Sequence, residues 1–178
     1  MGARLQPPTP DREVALSPTG TSPGRRHQPH RRMIPYDVST DASRLDVNAI
    51  HDFLTNTYWS PGIPLATVER AIRNSVCVGA FLDAQQVGFA RVVTDKATFA
   101  YLADVYVLQE HRGHGLSKRM LEALLQLPEL QGLRRMLLVT RDAHALYAQF
   151  GFKPLAAAAR FMELHNPDAY VSGSPSAS

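Results

Sequence analysis

Cysteine is nearly absent. Cys77 is the only one in 178 residues, so no internal disulfide can form, which fits a reducing compartment such as the cytoplasm. Its neighbours Val76 and Val78 are apolar and nothing nearby would lower its pKa, so it reads as a small buried hydrophobe rather than a reactive thiol. Long apolar runs are missing too. No stretch nears the roughly 18 residues a membrane-spanning helix needs, so no membrane association is expected. Metal-ligand patterns are thin. His111 and His114 stand at His-x-x-His spacing without a third ligand nearby, and no metal is expected. Tryptophan occurs once, at Trp59.

A basic domain is lacking as well, despite a pI near 9.2. Residues 1–32 hold six arginines against Asp11 and Glu13, a net of +4, while the whole chain is +3. Residues 33–178 therefore net −1, and nucleic-acid binding is not expected. The basic segment 1–32 is rich in Pro, Ser, Thr and Arg and has no apolar period, so it is expected to be disordered. It also lacks the apolar core of a secretory signal. Met33 is an alternative start, and residues 169–178 read as a flexible end.

Between these ends the pattern is regular. Ile34–Val38 reads as a short strand. Asp46 is placed to cap a helix with Val47, Ile50, Leu54 and Tyr58 on one face. Pro64 opens a second helix with Leu65, Val68 and Ile72. Three strands follow, over 76–82, 87–94 and 97–108. A helix starts at Leu116 and stops before Pro128. Residues 136–140 read as a buried strand. A short helix over 143–150 ends at Gly151, and a last strand is expected within 152–164. The order is β-α-α-β-β-β-α-β-α-β, one mixed α/β domain over 33–168.

One junction carries chemistry. A long strand ends at Leu108, Gly113 and Gly115 follow, and a helix begins at once. The glycines allow a tight turn and close approach to a ligand. The helix start presents unpaired N–H groups and the positive end of its dipole. Arg112, Lys118 and Arg119 add charge. The junction suits a phosphate or pyrophosphate, although by itself it is equally a plain strand-to-helix turn. It is neither a P-loop nor a dinucleotide fingerprint, because the spacing of lysine and of a third glycine is wrong.

Arg112-Gly113-His114-Gly115-Leu116-Ser117 resembles the Arg/Gln-x-x-Gly-x-Gly/Ala signature of the GNAT superfamily of N-acetyltransferases. Asp104-Val105-Tyr106-Val107 looks like the family's fourth strand. Ala143-His144-Ala145-Leu146-Tyr147-Ala148-Gln149-Phe150-Gly151-Phe152 is similar to its Ala-x-x-Leu-Tyr-x-x-x-Gly-Phe helix. The resemblance covers residues 47–164 and implies the GNAT fold. Two residues depart from the pattern: Ser117 replaces Gly or Ala, and Thr140 replaces an asparagine that often contacts the cofactor.

The resemblance implies an acetyl-CoA-dependent transfer of an acetyl group to a primary amine by direct attack in a ternary complex. The acceptor is a small molecule or a protein amine. The alternative is a non-catalytic acyl-CoA-binding domain. The backbone of Arg112, Gly113, His114, Gly115, Leu116 and Ser117 would hold the pyrophosphate. Val105, Tyr106 and Val107 would pair with the pantetheine arm, with the Val107 N–H as a candidate oxyanion donor. Tyr147 would protonate the leaving thiolate. Asp104, a carboxylate in an apolar strand, is the candidate general base or cation holder. Tyr58 and Trp59 could cage an amine, and Arg91 could contact an acidic group of the acceptor. Many family members dimerise, so a homodimer is one expected state, although no interface pattern stands out.

Overall fold

The computed structural model describes residues 35–170. The expected basic tail, and residues 171–178 of the expected flexible end, lie outside them. Strand β1 spans Tyr36–Ser39, helices α1 and α2 span Val47–Leu54 and Leu65–Arg73, and strands β2, β3 and β4 span Val76–Leu82, Gln85–Thr94 and Phe99–Val107. Helix α3 spans Leu116–Leu125, β5 spans Arg135–Leu137 and α4 spans His144–Ala148. The sheet runs in the order β1-β2-β3-β4-β5. Its first three pairings are antiparallel, and β5 joins β4 in parallel.

Helix α1 starts where the sequence indicates, because the Asp46 carboxylate accepts the Ala49 N–H at 3.0 Å. Ile50 and Leu54 are buried, and burying each contributes about 1.5–3 kcal/mol. Tyr58, expected on the same helical face, falls beyond the helix. The Thr57 and Ser60 hydroxyls both donate to the Leu54 carbonyl and turn the chain there, leaving Tyr58 58% exposed.

Two apolar clusters cover the two faces of the sheet. One joins Val78, Ala80, Ala90, Val92 and Leu102 to Leu116, Met120, Leu121 and Leu124 of α3. The other joins Cys77, Phe89 and Tyr106 to Ile50, Leu54 and Val68 of α1 and α2. Strand β4 serves both clusters through an irregularity. Phe89 faces Tyr106 and Arg91 faces Ala103, so the pair Asp104-Val105 opposes the single residue Ala90. An extra residue inverts the alternation of side chains. Leu102 therefore packs on the α3 side and Tyr106 on the α1–α2 side, although they are four residues apart. Asp104 absorbs the kink with φ of 53°, a left-handed conformation that aspartate tolerates better than most residues.

Two expected strands differ from the structure. β5 stops at Leu137 rather than Thr140, and Val139 is 84% exposed, with no partner strand beside it among the described residues. Among the described residues no strand forms within 152–164. Pro154 supplies no N–H for a ladder, and the alanines after it lead into a 3-10 turn at Ala158–Arg160.

Candidate active site

The short β5 opens the sheet. It pairs with β4 only from Phe99 to Tyr101, while β4 runs on to Val107. Among the described residues, the remaining length of β4 thus has no paired strand on that side and presents a free edge. The Leu108 N–H bonds to the Val87 carbonyl at 2.8 Å, so Leu108 and, by alternation, Tyr106 spend their backbone groups on β3. Val107 and Val105 point theirs toward the open side. The Val107 carbonyl there accepts the Arg112 Nε–H at 3.0 Å, which ties the following loop to the strand.

The loop then turns through two left-handed glycines, Gly113 at φ 78° and Gly115 at φ 74°. Among the described residues, no atom beyond the glycine's own chain neighbours lies within 4 Å of where a Cβ would stand at either position. The space beside them is therefore open to a ligand. Among the described residues no side chain caps the start of α3, and its first backbone bond is Arg119 N–H to Gly115 C=O. The N–H groups before Arg119 remain for an anion. A cavity of about 210 Å³ lies here, lined by Val107, Arg112, Gly113, Gly115, Ser117 and Leu146 among others. A free strand edge leading to an uncapped helix start suits an extended ligand that carries an anionic group.

The expected loop residues divide by role. Leu116 borders the cavity and is buried in the α3 side of the core. The Tyr106 side chain stacks on Phe53, with ring centroids 3.7 Å apart, on the other side of the sheet. The His114 ring lies 5.3 Å from Tyr36. His111 Nδ1 shares a 2.9 Å hydrogen bond with the Tyr36 hydroxyl. Among the described residues no three His, Cys, Asp or Glu side chains gather around a metal position.

Helix α4 owes its shape to the glycine that follows it. Gly151 adopts φ of 84°. Its N–H bonds to the Ala148 carbonyl and the Phe152 N–H to the Tyr147 carbonyl. This is a Schellman ending, which brings the residue after the glycine against the last helical turn. Phe152 accordingly meets the Tyr147 ring edge-on at 6.0 Å. Tyr147 is 8% exposed. Burial, then the nearby Asp142 and Tyr58, push its pKa above the usual tyrosine value. Thr140 is used locally, since its hydroxyl accepts the Ala143 N–H at 3.0 Å.

The acceptor candidates converge from three elements. Asp104 accepts Arg91 Nε–H at 2.5 Å on one oxygen and Trp59 Nε1–H at 3.1 Å on the other. Arg91 also reaches the Ser75 hydroxyl at 3.3 Å. Trp59 meets Tyr58 edge-on at 4.9 Å. The Arg141 guanidinium stands 4.1 Å above the Tyr58 ring. Sequence reasoning missed Arg141 and Asp142, because the loop that carries them has no pattern of its own. Their place just before the Tyr147 helix was the available signal.

Residues 47–152 match the acetyltransferase (GNAT) family. A protein of Gibberella zeae, provisionally named an acetyltransferase, is 35% identical over 137 residues, which cover 64% of this chain and 76% of its own. A GNAT-family protein of Xanthomonas campestris pv. campestris, also provisionally named, is 52% identical with a TM-score of 0.74, covering 77% of this chain and 97% of its own. A Clostridium acetobutylicum protein, described as an acetyltransferase by prediction and crystallised with acetyl-CoA, shares the fold. Its identity is 18% and its TM-score 0.54, with 73% of this chain and 94% of its own covered.

Proposed function

The chain belongs to the acetyltransferase (GNAT) family, and from that premise we propose that it transfers an acetyl group from acetyl-CoA to a primary amine in a ternary complex. The observation that carries this reading is the path from the free edge of β4, past Val107, into the uncapped start of α3. Helix α4 flanks that path and carries Tyr147.

The backbones of Val105 and Val107 would pair with the pantetheine arm as an added strand. The N–H groups from Arg112 to Ser117 would take the pyrophosphate. Bound acetyl-CoA supplies an electrophilic thioester carbonyl and a thiolate leaving group. The Val107 N–H would donate to the carbonyl oxygen as negative charge develops there. Tyr147 would hold a proton at its hydroxyl for the departing sulfur. Burial keeps that proton in place at neutral pH. The amine would enter past Tyr58 and Trp59, beside Arg91 and Asp104. It must arrive neutral, which at pH 7 costs about 4.6 kcal/mol for a lysine-like amine and about 1.4 kcal/mol for an α-amine.

Calorimetry with acetyl-CoA, followed by a thiol-release screen over polyamines, amino acids, aminoglycosides and peptides, tests this. Binding together with release for one amine class is the expected result. Binding without release across the panel would replace the enzyme by a non-catalytic acyl-CoA-binding domain. No heat of binding would overturn both.

A further inference from the structure

Asp104 combines three unusual features. It is a carboxylate with a side chain only 10% exposed. It sits at a left-handed φ in the one irregular step between β3 and β4. Each of its oxygens already accepts a hydrogen bond, from Arg91 and from Trp59. A general base needs an oxygen lone pair directed at the amine. Here each oxygen is already engaged by a donor, one an indole N–H and the other a guanidinium, and both bonds aim the carboxylate at Trp59 and Arg91.

The loop between α1 and α2 gives these bonds a purpose. Its other hydrogen bonds stay local. Thr57 and Ser60 return to Leu54, the Gly62 N–H returns to the Thr55 carbonyl, and His51 meets the Ile63 carbonyl. The Trp59 indole N–H alone among the loop's described hydrogen bonds crosses to the sheet. Behind it stand Asp104, then Arg91, then Ser75 at the start of β2. Trp59 in turn packs edge-on against Tyr58.

We infer that Asp104 is a positioning residue that pins the acceptor loop to the bulge of β4 through Trp59, and does not itself take the amine's proton. The kink at the bulge turns the Asp104 carboxylate toward Trp59. The kinetic consequence rests on the acetyltransferase reading above, whereas the docking of Trp59 does not.

Trp59 is the chain's only tryptophan, so its emission reports the loop alone. In the substrate-free protein, Asp104→Ala should shift that emission to the red and raise its quenching by acrylamide. Asp104→Asn keeps an acceptor for the indole and should hold both near the wild-type values. With a competent amine, Trp59→Phe should raise the acceptor KM about tenfold, a factor worth about 1.4 kcal/mol, and leave the acetyl-CoA KM in place. Trp59→Phe also guards against misfolding, because it keeps the Arg91 pair intact. In Asp104→Asn the acidic limb of the pH profile should persist and turnover should fall less than tenfold. A loss of about 10²-fold or more together with disappearance of that limb, as removal of a general base gives, would overturn the inference. So would an Asp104→Ala emission identical to wild type, or an unchanged acceptor KM in Trp59→Phe. If no amine is acetylated the function proposed above fails, while the two emission measurements still decide whether Asp104 docks the loop.

Discussion

Replacing Tyr147 with phenylalanine removes one oxygen and leaves the rest of the ring in place. The ring packs edge-on against Phe152 at 6.0 Å and is 8% exposed, and phenylalanine preserves both contacts. Among the described residues the Tyr147 hydroxyl makes no hydrogen bond to another group, so the deletion orphans nothing. The stability change should stay within about 0.5 kcal/mol. Catalysis should respond on another scale. A positioned general acid contributes about 10²–10⁴-fold, which is about 2.7–5.4 kcal/mol at 1.36 kcal/mol per decade. The assay is thiol release at saturating amine and acetyl-CoA, with a thermal melt and an acetyl-CoA titration alongside. Turnover should fall by at least 10²-fold while the melt and the donor affinity hold. The pH dependence adds a sign. Burial raises the Tyr147 pKa above its ordinary value of 10.0, so the acid stays loaded through neutral and mildly alkaline pH, and wild-type turnover should show no alkaline fall from this group below about pH 10. Wild-type turnover in Tyr147→Phe would refute the role. So would a fall in turnover matched by an equal loss of donor binding, since that would mark Tyr147 as a binding contact only.

Gly115→Ala places a Cβ at φ 74° in open space beside the helix start. Left-handed strain costs about 1–2 kcal/mol of stability, and acetyl-CoA affinity should fall in addition. Gly132→Ala is the control, with φ of 70° and equally open surroundings away from the cavity. It should lose comparable stability and no affinity, and equal affinity losses in the two variants would refute the pyrophosphate assignment. Asp95 accepts the N–H groups of Ala97, Thr98 and Phe99 and the Thr98 hydroxyl. These bonds hold its pKa below the ordinary 3.8, the Thr98 hydroxyl most strongly. The stability they give is present above about pH 4 and is lost as pH falls through the folded value. Melting temperature should therefore drop more steeply below pH 4 in the wild type than in Asp95→Asn, and parallel slopes would show that the turn carries no such linkage.

The features legible in the sequence are those set by short-range chemistry. Asp46 caps α1 because its carboxylate reaches an N–H three residues on. Gly113, Gly115 and Gly151 mark left-handed positions that few other residues accept. Tyr147 faces Phe152 because a Schellman ending brings those two together. The misplaced ends share a different cause. Tyr58 left its helical face because hydroxyls within the turn captured the Leu54 carbonyl. β5 stopped early and the strand expected within 152–164 did not form, since a strand needs a partner to pair with, and an apolar pattern does not say whether one is there.

By itself, then, the sequence determined the order of the elements from β1 to α4, the family and the glycine turn before α3. Each rests on residue types whose effect is felt within a few positions. The tertiary structure alone decided the bulge that turns Asp104 to Trp59, 45 positions away in the chain, and the early end of β5 that leaves the β4 edge free. It also set the Arg141 guanidinium over Tyr58. These contacts form only when strands and loops remote in the chain are brought together, and their energies depend on that distance and on the exclusion of water, which no local pattern encodes.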